Sequence, residues 1–252
     1  MRQHRFFTEQ FLQLHDTLKL ENSVAHHCAQ VLRYQLNDPL ILFNGDGYDY
    51  QALITDINRR HCEVKILKKI ALENESPLQI HLIQGIAKGD KMDFVIQKAV
   101  ELGVTEFSPL FSQRCNVKLD EKRLAKKQQH WQRVMISACE QSGRARLMLI
   151  NSAVHLNKIE SIGNGAIEES NLDTETICRL YLDPDANSSL KSLDKPQSIQ
   201  LCIGPEGGFS AQDVKAMQSL EMRGVQLGKR ILRTETAGLV AVAALQSLFG
   251  DF

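Results

Sequence analysis

The spacing of hydrophobic residues divides the chain into two stretches of different character. Up to about residue 72 the apolar positions come in short β-like runs at 40–44, 48–54 and 62–67, and Gly45-Asp46-Gly47 supplies a hairpin turn between the first two. The polar stretch Glu73-Asn74-Glu75-Ser76-Pro77 reads as a linker. Beyond it strand-like and helix-like runs alternate, with strands predicted at 78–84, 105–110, 147–150, 178–182, 199–203 and 225–227. Met92, Val95, Ile96, Ala99 and Leu102 share one side of a helix over 90–102, and Gly103 is its C′ residue. A longer helix over 120–142 carries Leu124, Trp131, Met135 and Ala138 as its apolar stripe and stops at Gly143. This pattern predicts a small, mostly β domain over 1–72 and an α/β domain with a mainly parallel sheet over 73–252. Residues 157–176 hold few large apolar side chains and include Gly163-Asn164-Gly165, so a mobile loop or a poorly packed helix is expected there.

The segment 237–245 is apolar almost all round. A helix without a polar face must be covered on every side. Burial against a second copy of the chain is the economical explanation, with a deeply buried core helix as the alternative.

Composition narrows the class. With 43% hydrophobic and 24% charged residues, the 252-residue chain needs no disordered or fibrous reading. Glu9, Gln10, Gln13, His15 and Asp16 interrupt any signal-peptide core after the basic start, and no window approaches a membrane-spanning length, so a cytoplasmic address is expected. Six scattered cysteines, with no C-x-x-C and no histidines paired nearby, argue against a zinc site, and no metal is expected. Cys115 and Cys139 lie close to the motifs below, but a nucleophilic cysteine needs a basic partner that sequence does not place.

The net charge of zero hides an uneven distribution. From Ser112 to Arg146 nine Lys and Arg stand against three acids, and from Leu156 to Gln200 four stand against eight. The first stretch is a candidate phosphate-facing surface, with a solvated helix face as the plainer reading of its Lys-rich part.

Two glycine-punctuated loops carry the strongest chemical signal. Gly204-Pro205-Glu206-Gly207-Gly208 follows the strand at 199–203, and 227–237 (Leu-Gly-Lys-Arg-Ile-Leu-Arg-Thr-Glu-Thr-Ala) follows the strand at 225–227. Each leads into a helix, so both are expected at the C-terminal edge of a parallel sheet, where ligand clefts of open α/β sheets lie. Pro205 stiffens the first loop, and Ser210 with Asp213 forms a capping-box pattern that marks the next helix start. Neither loop matches G-x-G-x-x-G or G-x-x-x-x-G-K-[ST], so a Rossmann dinucleotide or P-loop phosphate site is not supported.

In order and spacing, these loops resemble the bacterial small-subunit ribosomal RNA (uracil-N3)-methyltransferases of the SPOUT superfamily. The resemblance extends to His27 with Val31-Leu32-Arg33, to 91–98 (Lys-Met-Asp-Phe-Val-Ile-Gln-Lys), to Glu101-Leu102-Gly103-Val104, to Arg114-Cys115-Asn116-Val117-Lys118 and to 138–144. It implies a C-terminal SPOUT domain with a trefoil-knotted parallel sheet, an N-terminal PUA-like β-barrel that grips RNA, and a homodimer formed partly by the last helix. It also implies S-adenosylmethionine as methyl donor and a ribosomal RNA uridine, free or in an assembled small subunit, as acceptor.

The cofactor roles below are what the resemblance implies; the catalytic and RNA-binding residues are nominated from the chemistry the reaction needs. Ile203, Gly204, Gly207, Gly208, Leu227 and Gly228 would read the adenosine, and Leu182, Ile231 and Leu232 would wall its apolar surface, with Glu206, Thr236 and Ala237 completing the cofactor set. The uracil imide must lose a proton and the resulting charge must be steadied. Arg233 is the nominated cation, and Glu206 and Glu235 the nominated carboxylates; an Arg233–Glu235 ion pair or a helix-terminal role is an equal reading of Glu235. Arg114, Lys118 and Arg144 are nominated to position RNA, with Glu140 orienting one of the arginines, and Arg2, Arg5, His27 and Arg33 to bind it from the small domain; a surface or capping histidine is an equal reading of His27. A ribose 2′-O-methyltransferase on the same scaffold and a noncatalytic ribosome-assembly factor remain as alternative readings.

Overall fold

A computed structural model describes residues 3–59, 61–115, 120–161 and 177–252. Arg2, Lys118 and residues 162–176, on which several of the expectations fall, lie outside the described residues. The chain forms two compact units, Met1–Glu75 with Cys139–Leu147, and Ser76–Ala138 with Met148–Phe252.

The first unit is built on one five-stranded sheet. Its strands are β1 (Arg5–Phe7), β2 (Thr17–Lys19), β3 (Pro39–Phe43), β4 (Tyr48–Asn58) and β5 (His61–Ala71), in the order β1-β3-β4-β5-β2. Only β1 and β3 pair in parallel. Alternate residues of β5 point inward, so Cys62, Val64 and Ile66 join Leu40, Leu42, Tyr50 and Ile54 in the core. The β4–β5 register slips between Gln51 and Ala52 and again between Ile54 and Asp56, and such bulges bend a strand and increase its twist. A short helix α1 (Asn22–His26) continues into one π-helical turn, His27–Val31. Neither it nor β1 or β2 was predicted: each offers too few buried side chains to set up a period, and α1 has no side-chain cap.

Segment Cys139–Leu147 is held in this unit by side chains the sequence had nominated for RNA. Arg5 pairs with Asp49 at 2.6 Å, lies over the Phe43 ring and donates to the Cys139 carbonyl at 2.7 Å. Arg144 pairs with Glu75 at 2.6 Å, and Glu140 accepts from the Phe7 amide at 3.1 Å. Burial is the main influence on Glu140 and raises its carboxyl above the usual range, even with that bond. The Arg5 and Arg144 side chains are only 8% and 7% exposed, and each is committed to an ion pair within this unit. Breaking a buried pair from one side strands the other charge, so Arg5→Met should lower unfolding stability by about 3 kcal/mol, read from urea denaturation.

Among the described residues the second unit's sheet is wholly parallel. Its strands are β6 (Gln79–Gly85), β7 (Glu106–Phe111), β8 (Leu149–Ile150), β9 (Val154–His155), β10 (Ile177–Leu182), β11 (Ser198–Ile203) and β12 (Arg223–Val225). Their order is β12-β10-β11-β6-β7-β8, with β9 also on β7. Every residue of β11 is buried, as expected of a central strand covered on both faces. The chain leaves β6 toward β7 on one side, whereas β11, β10 and β12 lie on the other. The order therefore reverses between β6 and β11, the place where open α/β sheets form clefts.

Among the described residues four α-helices accompany this sheet: α2 (Lys91–Glu101), α3 (Glu121–Ser142), α4 (Ala211–Ser219) and α5 (Thr234–Phe249). In α2 the buried residues are Met92, Val95, Ile96, Ala99 and Val100, close to the predicted face, and Gly103 follows with φ +77°. α4 begins with the predicted capping box: Ser210 Oγ accepts from the Asp213 amide, and Asp213 accepts from the Ser210 amide. α5 buries Gly238, Ala241, Val242 and Leu245, while Val240 and Leu248 stay 43% and 44% exposed. The unit thus covers one face of α5 and not all of it.

Low in the sheet His81 bonds Ser108 Oγ at 2.8 Å, and Glu106 accepts from Asn151 at 2.6 Å. Burial lowers the His81 pKa to about 3, so its imidazole is neutral. Among the described residues no helix is long and apolar enough to cross a membrane, and no group of His, Cys, Asp or Glu has the arrangement to hold a metal ion.

Candidate functional site

The C-terminal tips of β10, β11 and β12 open into a cleft of about 540 Å³, within the size range of small-molecule and cofactor sites. Its walls are built from loops whose shape the sequence dictates. After β11 the chain turns through Pro205, whose carbonyl accepts from the Gly208 amide at 2.9 Å, and Gly208 takes φ +66°. The turn lies directly on the end of β6. A Cβ on Gly85 would stand 2.5 Å from the Pro205 nitrogen, so only glycine allows that approach. On the other side the Arg114 guanidinium donates to the Gly207 carbonyl at 3.3 Å, and Gln113 accepts from Ser210 Oγ at 2.8 Å.

One hydroxyl ties the two sequence-flagged loops together. Thr234 Oγ1, at the start of α5, donates to the Gly204 carbonyl and accepts from the buried Gln84 side chain at 2.9 Å. As a result Leu182, Ile203, Gly204, Glu206, Gly208, Leu227, Gly228, Ile231, Leu232 and Ala237 all line the same cleft, with Arg233 beside them. Gly207 and Thr236 are not on the lining. Gly207 instead packs against Arg114, and the Thr236 amide donates to the Arg233 carbonyl in the first turn of α5. The sequence reading missed Tyr181, Asp183, Asp185, Phe209, Gln226, Arg230, Thr234 and Lys91 on the lining. The first two belong to or follow a strand already predicted and could have been found by extending it.

The charged groups sort into three sets. Arg233 is exposed at the N-cap of α5 and forms no ion pair among the described residues. Glu206 accepts from the Lys88 amide at 3.2 Å and from Lys91 at 3.4 Å. Burial pushes its carboxyl up, but hydrogen bonds from its own amide, the Lys88 amide and the Lys91 ammonium together hold it below the usual carboxylate range. Glu235 stands 3.2 Å from the same ammonium, so its ionic partner is Lys91 and not Arg233. Across the lining lie Asp183 and Asp185, the latter donating its amide to Asp183 at 2.9 Å.

The remaining RNA candidates belong to both units. Arg114 is exposed beside the Gly207 carbonyl. In the first unit His27 is exposed with its ring edge-on to Phe6, and Arg33 is exposed with φ +55°.

Comparison with known proteins bears on both units. Residues 74–246 match the RNA methyltransferase domain family and residues 20–67 match an RNA methyltransferase PUA domain. The chain is 38% identical over 250 residues to ribosomal RNA small subunit methyltransferase E of Buchnera aphidicola subsp. Schizaphis graminum, covering 98% of this chain and 97% of that protein. It is 29% identical over 244 residues to the protein of the same name from Bacillus subtilis, covering 94% of this chain and 93% of that one. In three dimensions it is similar to ribosomal RNA small subunit methyltransferase E from Neisseria gonorrhoeae bound to S-adenosyl methionine, with a TM-score of 0.88, 37% identity and full coverage of both chains.

Proposed function

The chain belongs to the RNA methyltransferase family that includes ribosomal RNA small subunit methyltransferase E, and from that premise we propose that it transfers a methyl group from S-adenosylmethionine to N3 of a uridine in small-subunit ribosomal RNA. The single observation that carries the proposal is the union of the two glycine-rich loops into one cleft through Thr234 and Gly204.

The residues present fit the donor. Leu182, Ile203, Ile231 and Leu232 offer apolar wall, and Ile231 is 87% exposed where a flat aglycone could cover it. Gly208 and Gly228 leave their Cβ positions open, with nothing within 4 Å, so main chain can approach a ligand closely. The donor supplies an electrophilic methyl carbon. The protein's part is to hold acceptor and donor in line, which alone accounts for a large share of such accelerations, and to favour loss of the imide proton. Arg233 is proposed to steady the charge that spreads onto the ring carbonyls, or to clamp the neighbouring phosphate. Glu206 and Glu235, nominated to take the proton, are both engaged by Lys91.

The further parts of the reading are proposals of the same standing. Residues 1–72 would grip RNA through His27 and Arg33, and residues 73–252 would carry catalysis with a trefoil knot in the sheet. The uncovered Val240 and Leu248 side of α5 would meet a second copy of the chain. Incubating small subunits and naked ribosomal RNA from cells lacking the protein with labelled donor should put the methyl group on the uracil base at N3, located by nuclease digestion and mass spectrometry. A methyl group on ribose O2′ would turn the proposal to the 2′-O reading, and absence of donor binding by calorimetry would favour an assembly factor.

A further inference from the structure

Lys91 occupies a position that helix physics does not favour. It is the first residue of α2, where the helix dipole is positive and a cation is unfavourable. What holds it there is a pair of carboxylates from two other elements: Glu206 Oε1 at 3.4 Å from the first loop and Glu235 Oε2 at 3.2 Å from α5. An ammonium has three donors and a flexible stem, so anchoring it from two sides is what makes its position definite. Of this trio Lys91 and Glu206 line the cleft, and Glu235 does not. Glu206 is further tied by the Lys88 amide.

We propose that Lys91 is a second catalytic cation, which draws the proton off the acceptor imide by stabilising the anion left behind, and that Glu206 and Glu235 are its anchors and not proton acceptors. This rests on the N3 reading above. The imide nitrogen lies between two carbonyls, so its anion divides its charge between two oxygens. Lys91 and Arg233, both on the lining, provide one cation for each. A fixed cation in a cleft lowers the free energy of charge that develops beside it without reorganising, which is the electrostatic form of catalysis. The step balances without a protein base. The N3 proton passes to water, the nitrogen lone pair forms the bond to the methyl carbon, and the carbon–sulfur bond breaks with its electrons going to sulfur. The sulfonium charge and the imide charge are both lost, and one proton enters solvent.

Lys91 pairs with Glu206 and Glu235; Arg233, Arg230, Asp183 and Asp185 share the cleft lining with it, and Asp90, the N-cap, and Asp93, in the first turn of α2, are the acids adjoining it in its own element. Asp93 is engaged by His130 at 2.6 Å.

The test is the pH dependence of turnover in the full-length protein on small subunits from cells lacking it. Lys91→Met should lower kcat about 100-fold near neutral pH while donor Kd changes less than about threefold. The deficit should shrink to less than about tenfold in alkaline buffer, where the imide ionises unaided. Lys91→Arg, which keeps the charge, should retain most of the neutral-pH rate. Glu206→Gln and Glu235→Gln should each cost less than about tenfold, because the other anchor remains; a general base would cost about 100-fold or more. A Lys91→Met deficit that is flat with pH, a parallel loss of donor binding, an arginine variant no better than methionine, or a Glu235→Gln loss as deep as that of Lys91→Met would each overturn the role of Lys91. A wild-type product methylated elsewhere than N3 would instead overturn the reading of the reaction, and the two failures are read from different measurements.

Discussion

Arg233→Ala is expected to lower turnover about 100- to 1,000-fold while leaving donor affinity within about threefold of the parent. The expectation follows from where the side chain sits. Arg233 lies at the N-cap of α5, exposed, on the cleft lining and with no ion pair among the described residues. Its backbone already serves the helix, accepting from the Thr236 and Ala237 amides at 2.9 and 2.8 Å. Truncation beyond Cβ leaves those bonds intact, so the helix start and the loop it anchors should survive. The lost guanidinium is then missed only by charge that develops during reaction or by the RNA phosphate. Single-turnover rates on small subunits, set beside calorimetric donor affinity, separate these effects. Equal losses in both would mean that Arg233 binds the donor and does not act on the acceptor.

Gly85→Ala should abolish measurable donor binding, an affinity loss of at least about 100-fold, while costing only about 1–3 kcal/mol of stability. The added Cβ would meet the Pro205 nitrogen at 2.5 Å, the Gly204 carbonyl carbon at 2.8 Å and the Pro205 Cα at 2.9 Å. These are backbone atoms and cannot rotate aside. β6 is held between β7 and β11 by parallel pairing along its length, so the loop is the part that must yield. Moving the Gly204–Pro205 turn shifts the carbonyl that Thr234 bonds and opens the junction between the two loops. Calorimetry with S-adenosylmethionine alongside urea denaturation reads both quantities. Retained affinity in a folded Gly85→Ala protein would show that this packing does not shape the cleft.

Sequence patterning anticipated the parts of the fold that depend on neighbours in the chain. The helix predicted over 120–142 is α3, Glu121–Ser142, and the strands predicted at 78–84 and 199–203 are β6 and β11 within a residue at each end. Gly143, predicted to stop α3, takes φ +90°, a conformation that glycine adopts without strain. The convergence of the two loops was also legible, because strand-to-helix turns after parallel strands must emerge on the same edge of a sheet. β1, β2 and α1 were not, since three to five residues hold too little of a period to distinguish them from loop.

Charge was the property least legible in the chain. Arg5, Arg144 and Arg114 look alike in a basic or motif context, yet Arg5 finds Asp49 44 residues away and Arg144 finds Glu75 69 residues away, while Arg114 stays exposed. Lys91 drew no attention as a site residue because Glu206 is 115 positions distant. By itself, then, the sequence determined the periodic elements, the turn chemistry and the shared edge at which the two loops emerge, all of which rest on interactions within a few residues. Which charges are buried in pairs, which face the cleft and which carboxylates hold Lys91 were decided only when the strands took their order, because Coulomb partners are chosen by distance in space and desolvation, neither of which is written locally.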